Sequence, residues 1–159
     1  MFRLGQLGLG DTDNREWPSN VKTLQQQKVI YGACGEKHSV VVTLDGGVFS
    51  FGSGNRGQLG HHSTNNELLP RKISELMGSE VSQVACGRYR AQSTERKHYF
   101  FSFVRTRSHT IVFVPQTGHV YVFGLACAGT SDTQMTSYVT IPQKLPIAFL
   151  SYKTMKEVS

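Results

Sequence analysis

Short apolar strands alternate with glycine-rich turns along most of this chain. Residues 28–34, 38–44 and 48–51 are rich in apolar and β-branched side chains, and Asp45-Gly46-Gly47 separates the last two. Short runs of this kind, bounded by glycine, are typical of β-strands joined by hairpins. Residues 21–24 are expected to form a further short strand. Residues 74–77 can form a single helical turn, but no segment keeps the apolar spacing of a longer helix. The pattern therefore predicts an all-β fold.

The pattern of strands and glycine loops repeats. Gly-Gln-Leu-Gly occurs at 5–8 and again at 57–60, and Cys-Gly occurs at 34–35 and 86–87, both with a separation of 52 positions. A period of this length is typical of propellers, whose units bury their apolar faces only against neighbouring units. We predict a partial β-propeller of about three blades, a fragment of a larger ring, with an irregular insertion.

An insertion interrupts the repeat after the second Cys-Gly pair. His38-Ser39 recurs as His109-Thr110, 71 positions later, so residues 90–108 are additional. Pro70 and Pro142 are 72 positions apart, which shows that the repeat resumes beyond the insertion. We divide the repeats at 4–143 into a first unit (4–51), an interrupted second unit (52–123) and a degenerate third unit (124–143), with a non-repeat tail at 144–159.

These motifs resemble the repeats of the regulator of chromosome condensation family. The family's marks are Gly-Gln-Leu-Gly, a Cys-Gly followed shortly by His-Ser or His-Thr, and an aromatic residue and glycine that end the third strand. We expect a structural role for the matching residues and for their equivalents in the other units. They are Gly5, Gly8, Cys34, Gly35, His38, Gly52, Gly57, Gly60, Cys86, Gly87, His109 and Gly124. The leucines inside the two loops, Leu7 and Leu59, are expected to fill the contacts between units.

A narrower resemblance is to the propeller region of HERC-type ubiquitin ligases, carried by residues 52–76 and 84–88. It implies a seven-bladed propeller near the N-terminus and a separate HECT domain that transfers ubiquitin through a catalytic cysteine. The chain is too short to add such a domain, so we expect a fragment or isoform of a HERC-like ligase. Its expected function is non-catalytic: binding a protein substrate or regulator of the ubiquitin pathway, in the cytoplasm or alternatively the nucleus.

Two other functions follow from the same sequence. The family name suggests guanine-nucleotide exchange on a small GTPase, or binding to one. The insertion suggests nucleic-acid binding, because basic residues are interleaved with aromatic ones at 98–104. Of the formal charge of +6, the segment 90–108 carries +4. The basic character therefore belongs mainly to the insertion, and we prefer the interpretation in which this segment has no selected role.

Several motifs could suggest chemistry, and each has a structural explanation. Gly52–Gly57 matches the dinucleotide fingerprint Gly-x-Gly-x-x-Gly, but the residues that follow do not predict the helix that the fingerprint needs. The adjacent His61 and His62 lack further ligands at zinc spacing, and His38 and His109 are expected in different blades. We therefore expect no catalytic residue, no cofactor and no metal.

The three cysteines form no Cys-x-x-Cys motif. Cys34 and Cys86 occupy equivalent repeat positions at the ends of apolar strands, so we expect both to be small buried residues without a disulfide. Cys127 has no equivalent and no assignment. The sequence also lacks a run of apolar residues long enough for a membrane helix and an apolar signal segment, which favours an intracellular protein.

Overall fold

The computed structural model describes residues 4–87, 108–126 and 137–145. These residues form eight antiparallel strands in two four-stranded sheets, each with its strands in sequence order. The first sheet contains β1 (Val29–Cys34), β2 (His38–Thr43), β3 (Val48–Gly52) and β4 (Glu67–Lys72). The second contains β5 (Gln83–Cys86), β6 (His109–Val114), β7 (His119–Ala126) and β8 (Ser137–Lys144). The predicted all-β propeller repeat is confirmed, and the described residues form two blades without closing a ring.

The predicted hairpins form with glycine at the turns. β2 and β3 pair with Val41 opposite Phe49 and Val40 opposite Ser50, so successive residues alternate between the two faces. The turn between them has Gly46 at φ +79°, a conformation that glycine adopts without steric cost. In the second sheet, β6 and β7 are joined by the turn at 115–118, where Gly118 has φ +65°.

The two sheets pack face to face around a shared apolar core. From the first sheet, the buried side chains of Val40, Val42 and Val48 enter this core. They cluster with residues of the connection between the sheets and of the second sheet. These are Ile73, Leu76, Val81, Val84, Cys86, Val112, Val114 and Phe123. The mutual burial of apolar faces is the main interaction that holds one blade against the next.

The sheets do not begin and end where the sequence units do. β4 follows the first unit in sequence, yet it pairs with β3 and completes the first sheet. In the same way β8, which lies in the segment 124–143 assigned to a third unit, pairs with β7 and completes the second sheet. The first sheet therefore takes its fourth strand from beyond the glycine loop at 57–60, and the second takes its fourth strand from beyond residues 127–136.

One short 3-10 helix precedes the first strand of each sheet. The two helices span Lys22–Leu24 and Ser74–Leu76, and the second matches the expected turn at 74–77. A strand at 21–24 was also expected, and this prediction is wrong because the Leu24 N–H donates to the Val21 carbonyl oxygen at 3.0 Å and closes a turn. No helix in the described ranges has the length and apolar character needed to span a bilayer. Residues 90–107, Cys127 and the tail from 146 lie outside these ranges.

Candidate functional site

The second glycine loop, Gly57–Gly60, lies between the two sheets. Gly57 and Gly60 have φ values of +71° and +74°, and the Gly60 N–H donates to the Gly57 carbonyl oxygen at 3.1 Å. A Cβ atom on Gly60 would lie 3.0 Å from the Phe123 ring, and one on Gly57 would lie 2.8 Å from the Val139 carbonyl oxygen. Glycine at both ends therefore allows the turn to approach the second sheet closely.

Hydroxyl groups from both sheets bind the backbone of this loop. The Ser50 hydroxyl of β3 donates to the Leu59 carbonyl oxygen at 2.6 Å. The Thr110 hydroxyl of β6 donates to the Gln58 carbonyl oxygen at 2.8 Å. The side-chain carbonyl of Gln58 in turn accepts the Arg56 N–H at 2.8 Å. The loop is thus a hydrogen-bonded bridge between the blades, and its polar groups are used in holding that bridge.

His38 extends the bridge within the first sheet. Its Nε2 atom lies 3.0 Å from the Thr110 hydroxyl oxygen, and the side chain is buried. Because the Thr110 hydroxyl donates its proton to Gln58, we assign the His38 proton to Nε2, which donates to Thr110. The buried Nδ1 atom then accepts no hydrogen bond from the described residues. Burial, together with the nearby His109, lowers the pKa of His38 to about 4, so this imidazole is neutral near pH 7.

The first glycine loop, Gly5–Gly8, repeats this construction. The Ser39 hydroxyl donates to the Gln6 carbonyl oxygen at 2.9 Å, as Thr110 does for the second loop. The glycines of this loop lie against β3 and β4 of the first sheet, and Leu7 is 46% exposed, whereas Leu59 is 1% exposed. The prediction that a loop leucine fills the contact between units is therefore confirmed for Leu59 and wrong for Leu7.

Gly52 and Gly124 end the third strand of each sheet and lie against the preceding hairpin strand. Gly52 has φ +105°, and a Cβ atom there would lie 2.5 Å from the Lys37 carbonyl oxygen. Gly124 has φ +101°, and a Cβ atom there would be similarly close to the carbonyl oxygen of Ser108. Gly52 also begins the segment that resembles a dinucleotide fingerprint, and a turn follows Gly57 in place of the helix that a dinucleotide site requires.

The two equivalent cysteines differ in exposure. Cys86 is buried between the sheets as expected, and burial raises the pKa of its thiol well above the usual range. Cys34 is exposed, so the prediction of a buried residue is wrong for it. Its neighbour Ala33 packs against the shared core, so the Cys34 side chain lies on the opposite face of β1. Both thiols are free and lie in different sheets.

The remaining histidines are held separately. His38 and His109 lie in different sheets, as predicted, in β2 and β6. His61 Nε2 lies 2.9 Å from the Ser50 hydroxyl, and burial lowers the pKa of His61. His62 Nε2 contacts the Glu75 carboxylate on the surface. Within the described ranges, no three His, Cys, Asp or Glu side chains are grouped closely enough to hold a metal ion.

Comparison with known families accounts for the repeated construction of the two loops. Residues 3–42 and 45–90 match the regulator of chromosome condensation (RCC1) repeat, and residues 29–58 match a second description of the same repeat. The chain belongs to the RCC1 repeat family. The matched ranges contain both glycine loops, together with His38 and both of the repeat cysteines.

Among proteins with RCC1 repeats, HERC-type ligases are similar over most of this chain. The probable E3 ubiquitin-protein ligase HERC3 of Homo sapiens is 46% identical over 142 residues, which are 89% of this chain and 12% of HERC3. The probable E3 ubiquitin-protein ligase HERC4 of Mus musculus is 43% identical over 150 residues, which are 94% of this chain and 12% of HERC4. The chain therefore spans about one-eighth of the length of these relatives.

Solved structures support the propeller-repeat fold. Prp20p from Saccharomyces cerevisiae aligns with a TM-score of 0.59 and 17% identity, covering 91% of this chain and 32% of the Prp20p chain. Human WBSCR16 aligns with a TM-score of 0.52 and 24% identity, covering 76% of this chain and 26% of its own. At these identities the similarity establishes the fold. The crystal structure of Prp20p was described together with the binding properties of Prp20p to Gsp1p and histones.

Sequence reasoning missed part of the hydrogen-bonded bridge in this RCC1-repeat chain. Gln6 and Gln58 are both inside the Gly-Gln-Leu-Gly motif, and Ser39 and Thr110 both follow the repeat histidine. The shared spacing of these amide and hydroxyl residues was a signal that could have linked them. Ser50 gave no such signal, because its equivalent in the second sheet is Val122.

Charge does not mark the described surface as a nucleic-acid interface. The described ranges hold eight Lys and Arg and eight Asp and Glu, so the formal charge of +6 belongs to the rest of the chain. Apart from Ser108, the basic insertion predicted at 90–108 lies in that remainder.

Proposed function

We propose that this RCC1-repeat chain is a non-catalytic protein-interaction module that binds a substrate or regulator in the ubiquitin pathway. The similarity to HERC3 and HERC4, at 46% and 43% identity over 89% and 94% of the chain, carries this proposal. The matched region is a small part of those proteins, and here it folds into blades whose repeated polar groups bind one another. Such a region is suited to presenting a surface while another domain performs transfer.

Three turns at one end of the blades offer a contact surface. The turn at 44–47 touches the one at 77–80, since a Cβ atom on Gly46 would lie 3.0 Å from the Ser79 carbonyl oxygen. The turn at 115–118 joins them through a hydrogen bond from the Gln116 amide to Glu80. We call these three turns the turn face.

Exposed apolar side chains on the turn face favour protein recognition. Leu44 is 61% exposed and Met77 is 62% exposed, and each belongs to a turn anchored on a buried strand or on the connection between the sheets. Apolar side chains held on rigid turns bury area on binding at little entropic cost. We place the protein contact of this module at Leu44 and Met77.

The binding role is tested by proximity labelling in cells with the full chain. We expect labelling of ubiquitin-pathway proteins that falls at least about fivefold in the double variant Leu44→Asp and Met77→Asp, because charges oppose apolar burial. Thr64→Asp, at an exposed position away from the turn face, is the matched control and should leave labelling unchanged. Equal labelling by the double variant and the control would contradict the assignment of the turn face.

The absence of catalysis is tested with a ubiquitin-charged conjugating enzyme. We expect the chain neither to speed discharge of the ubiquitin nor to form a thioester with it. A thioester that is lost when the three cysteines are replaced by serine would contradict the non-catalytic proposal.

The same purified chain can be mixed with a small GTPase loaded with a fluorescent nucleotide. Acceleration of nucleotide release would favour the exchange function instead. We also propose a cytoplasmic location, which imaging of the tagged chain would test.

A further inference from the structure

Arg56 differs from the other arginines that the structure describes. Arg15 pairs with Asp11, and Arg71 pairs with Glu67. Within the described ranges, Arg56 forms no ion pair with a carboxylate, and its side chain is half-buried. Partial burial strengthens the attraction between a guanidinium and an anion, because less water screens their charges. The charge of Arg56 is therefore available to a negatively charged group of another molecule.

The guanidinium of Arg56 lies over the ring of Tyr138 in β8. Its carbon atom is 5.7 Å from the ring centroid, within the range of a cation–π interaction. Tyr138 is 48% exposed, so part of the ring can still contact another molecule. A guanidinium that lies over a ring keeps N–H groups at its edge, and these can donate two parallel hydrogen bonds to a carboxylate.

Backbone contacts hold both residues in place. The Arg56 N–H donates to the side-chain carbonyl of Gln58 at 2.8 Å. A Cβ atom on Gly57 would lie 2.8 Å from the Val139 carbonyl oxygen, so the glycine loop touches β8 directly beside Tyr138. Because the backbone on both sides of this contact is already ordered, binding at the two side chains requires little further ordering of the chain.

The repeat is built without an arginine and a tyrosine at the equivalent place in the first sheet. The position 52 residues before Arg56 is Leu4, whose N–H donates to the side-chain carbonyl of Gln6 at 2.9 Å. The position 72 residues before Tyr138 is Asn66, whose side-chain oxygen accepts a backbone N–H at 3.0 Å. The backbone bond at the start of the loop is thus common to both units, whereas the two side chains belong to one surface.

This surface lies at the end of the sheets opposite the turn face. β3 begins after the turn at 44–47 and ends at Gly52, before the loop that carries Arg56. β7 begins after the turn at 115–118, and Tyr138 pairs with Leu125 near the end of β7. We call Arg56 and Tyr138 the Arg–Tyr pair.

We propose that the Arg–Tyr pair binds an acidic segment of a partner protein, in which an Asp or Glu carboxylate stands beside an apolar side chain. The carboxylate accepts two hydrogen bonds from the Arg56 guanidinium, and the apolar side chain packs on the exposed part of the Tyr138 ring. Arginine and tyrosine are the residue types that most often dominate the binding energy of protein interfaces. The site is separate from the turn face and does not depend on a role in the ubiquitin pathway.

Charge favours a carboxylate over a phosphate at this site. One carboxylate balances one arginine, whereas a phosphate group carries up to about two negative charges and is typically bound by a cluster of arginines. Nucleic-acid binding requires several cations along one surface. The described ranges balance eight Lys and Arg with eight Asp and Glu, which does not provide such a surface.

A random-peptide library displayed on phage is the probe. Peptides are selected on the purified full chain after removal of those that bind a folded Arg56→Gln chain. We expect the selected peptides to share an Asp or Glu beside a large apolar residue. Replacing that acidic residue by its amide should weaken binding at least about tenfold, measured by fluorescence anisotropy of the labelled peptide. This change is made in the peptide, so it needs no variant of the chain.

Substitutions in the chain separate the contributions of the guanidinium and the ring. Arg56→Gln and Tyr138→Ser should each weaken binding of a selected peptide at least about tenfold, whereas Tyr138→Phe keeps the ring and should change it less than about threefold. Arg71→Gln is the matched control, because Arg71 is exposed but already paired with Glu67, and it should leave binding unchanged. Circular dichroism confirms that each variant is folded.

Several outcomes would overturn the proposal. A selection that yields no peptide sensitive to Arg56→Gln, or only peptides without an acidic residue, would exclude an acidic partner at this site. Lower stability of Arg56→Gln with unchanged peptide affinity would show that the pair only fastens the loop to β8. Tighter binding by about tenfold or more of a peptide with phosphoserine at the acidic position, or displacement of the peptide by a single-stranded oligonucleotide, would assign the site to phosphate instead.

Discussion

The Nε2 atom of His38 in the first sheet lies 3.0 Å from the hydroxyl oxygen of Thr110 in the second. Thr110 directly follows His109, which is the repeat equivalent of His38. His38 and Thr110 therefore come from corresponding strands of the two blades and meet at the boundary between them. Thr110 also donates to the Gln58 carbonyl oxygen of the glycine loop at 2.8 Å. One hydroxyl group therefore links both sheets and the loop between them, and its removal should weaken the joint without disturbing either sheet.

The buried His38 should make stability depend on pH. Its pKa is lowered from 6.5 to about 4 in the folded chain, so between these values the unfolded chain binds more protons. The contribution of His38 to folding is therefore complete above pH 6.5 and is lost as the pH falls towards 4. The full loss is roughly 3 kcal/mol. Urea unfolding at several pH values measures it.

A His38→Gln variant is the control for this pH dependence. Its amide can still donate to Thr110 but does not titrate, so the difference in stability from the natural chain should shrink as the pH falls from 7 to 4.5. A difference that stays constant over this range would show that His38 is not the titrating group.

Thr110→Val should destabilise the chain by about 2–3 kcal/mol, because it leaves the Gln58 carbonyl and the His38 N–H buried without partners. Thr110→Ser keeps the hydroxyl and removes only a methyl group, so it should cost about 1 kcal/mol. Thermal or urea unfolding of the two variants gives the comparison. Equal losses would mean that packing of the methyl group, and not the hydrogen bonds, sets the stability of this joint.

Gly52→Ala should destabilise by about 2–4 kcal/mol, because φ is +105° and the new Cβ would lie 2.5 Å from the Lys37 carbonyl oxygen. Gly78→Ala is the matched control. Gly78 has φ +80° but no atom within 4 Å of the added Cβ, so it should lose only about 1 kcal/mol through backbone strain. Urea unfolding compares the two, and a similar loss in both would exclude the close approach at Gly52 as the cause.

Cys34 should react with a thiol reagent faster than Cys86 by at least about a hundredfold. Cys34 is exposed, whereas Cys86 is buried and its thiol pKa is raised by burial, which disfavours the reactive thiolate. Iodoacetamide labelling of a Cys127→Ser chain, followed by peptide mass spectrometry, measures both rates. Comparable rates would indicate that the sheets separate readily.

Local pattern was enough to predict the strands but not how they group. The hairpin of β2 and β3 follows from apolar runs on either side of Asp45-Gly46-Gly47, and both are local features. The pairing of β8 with β7 joins segments on either side of a long connection, and its sequence marker is only Pro142. The strand expected at 21–24 is a helical turn, because backbone hydrogen bonds within the turn outweigh the weak strand preference of a few residues.

The sequence by itself determined the repeat, the family and the positions where glycine is required, since spacing and backbone conformation are written locally in the chain. Only the tertiary structure decided which of two equivalent residues is buried and which is exposed. Leu7 and Leu59, or Cys34 and Cys86, have the same motif, but one member of each pair lies between two sheets and the other on a face that a single sheet leaves open. Burial depends on what packs against a residue, and no motif encodes its neighbour.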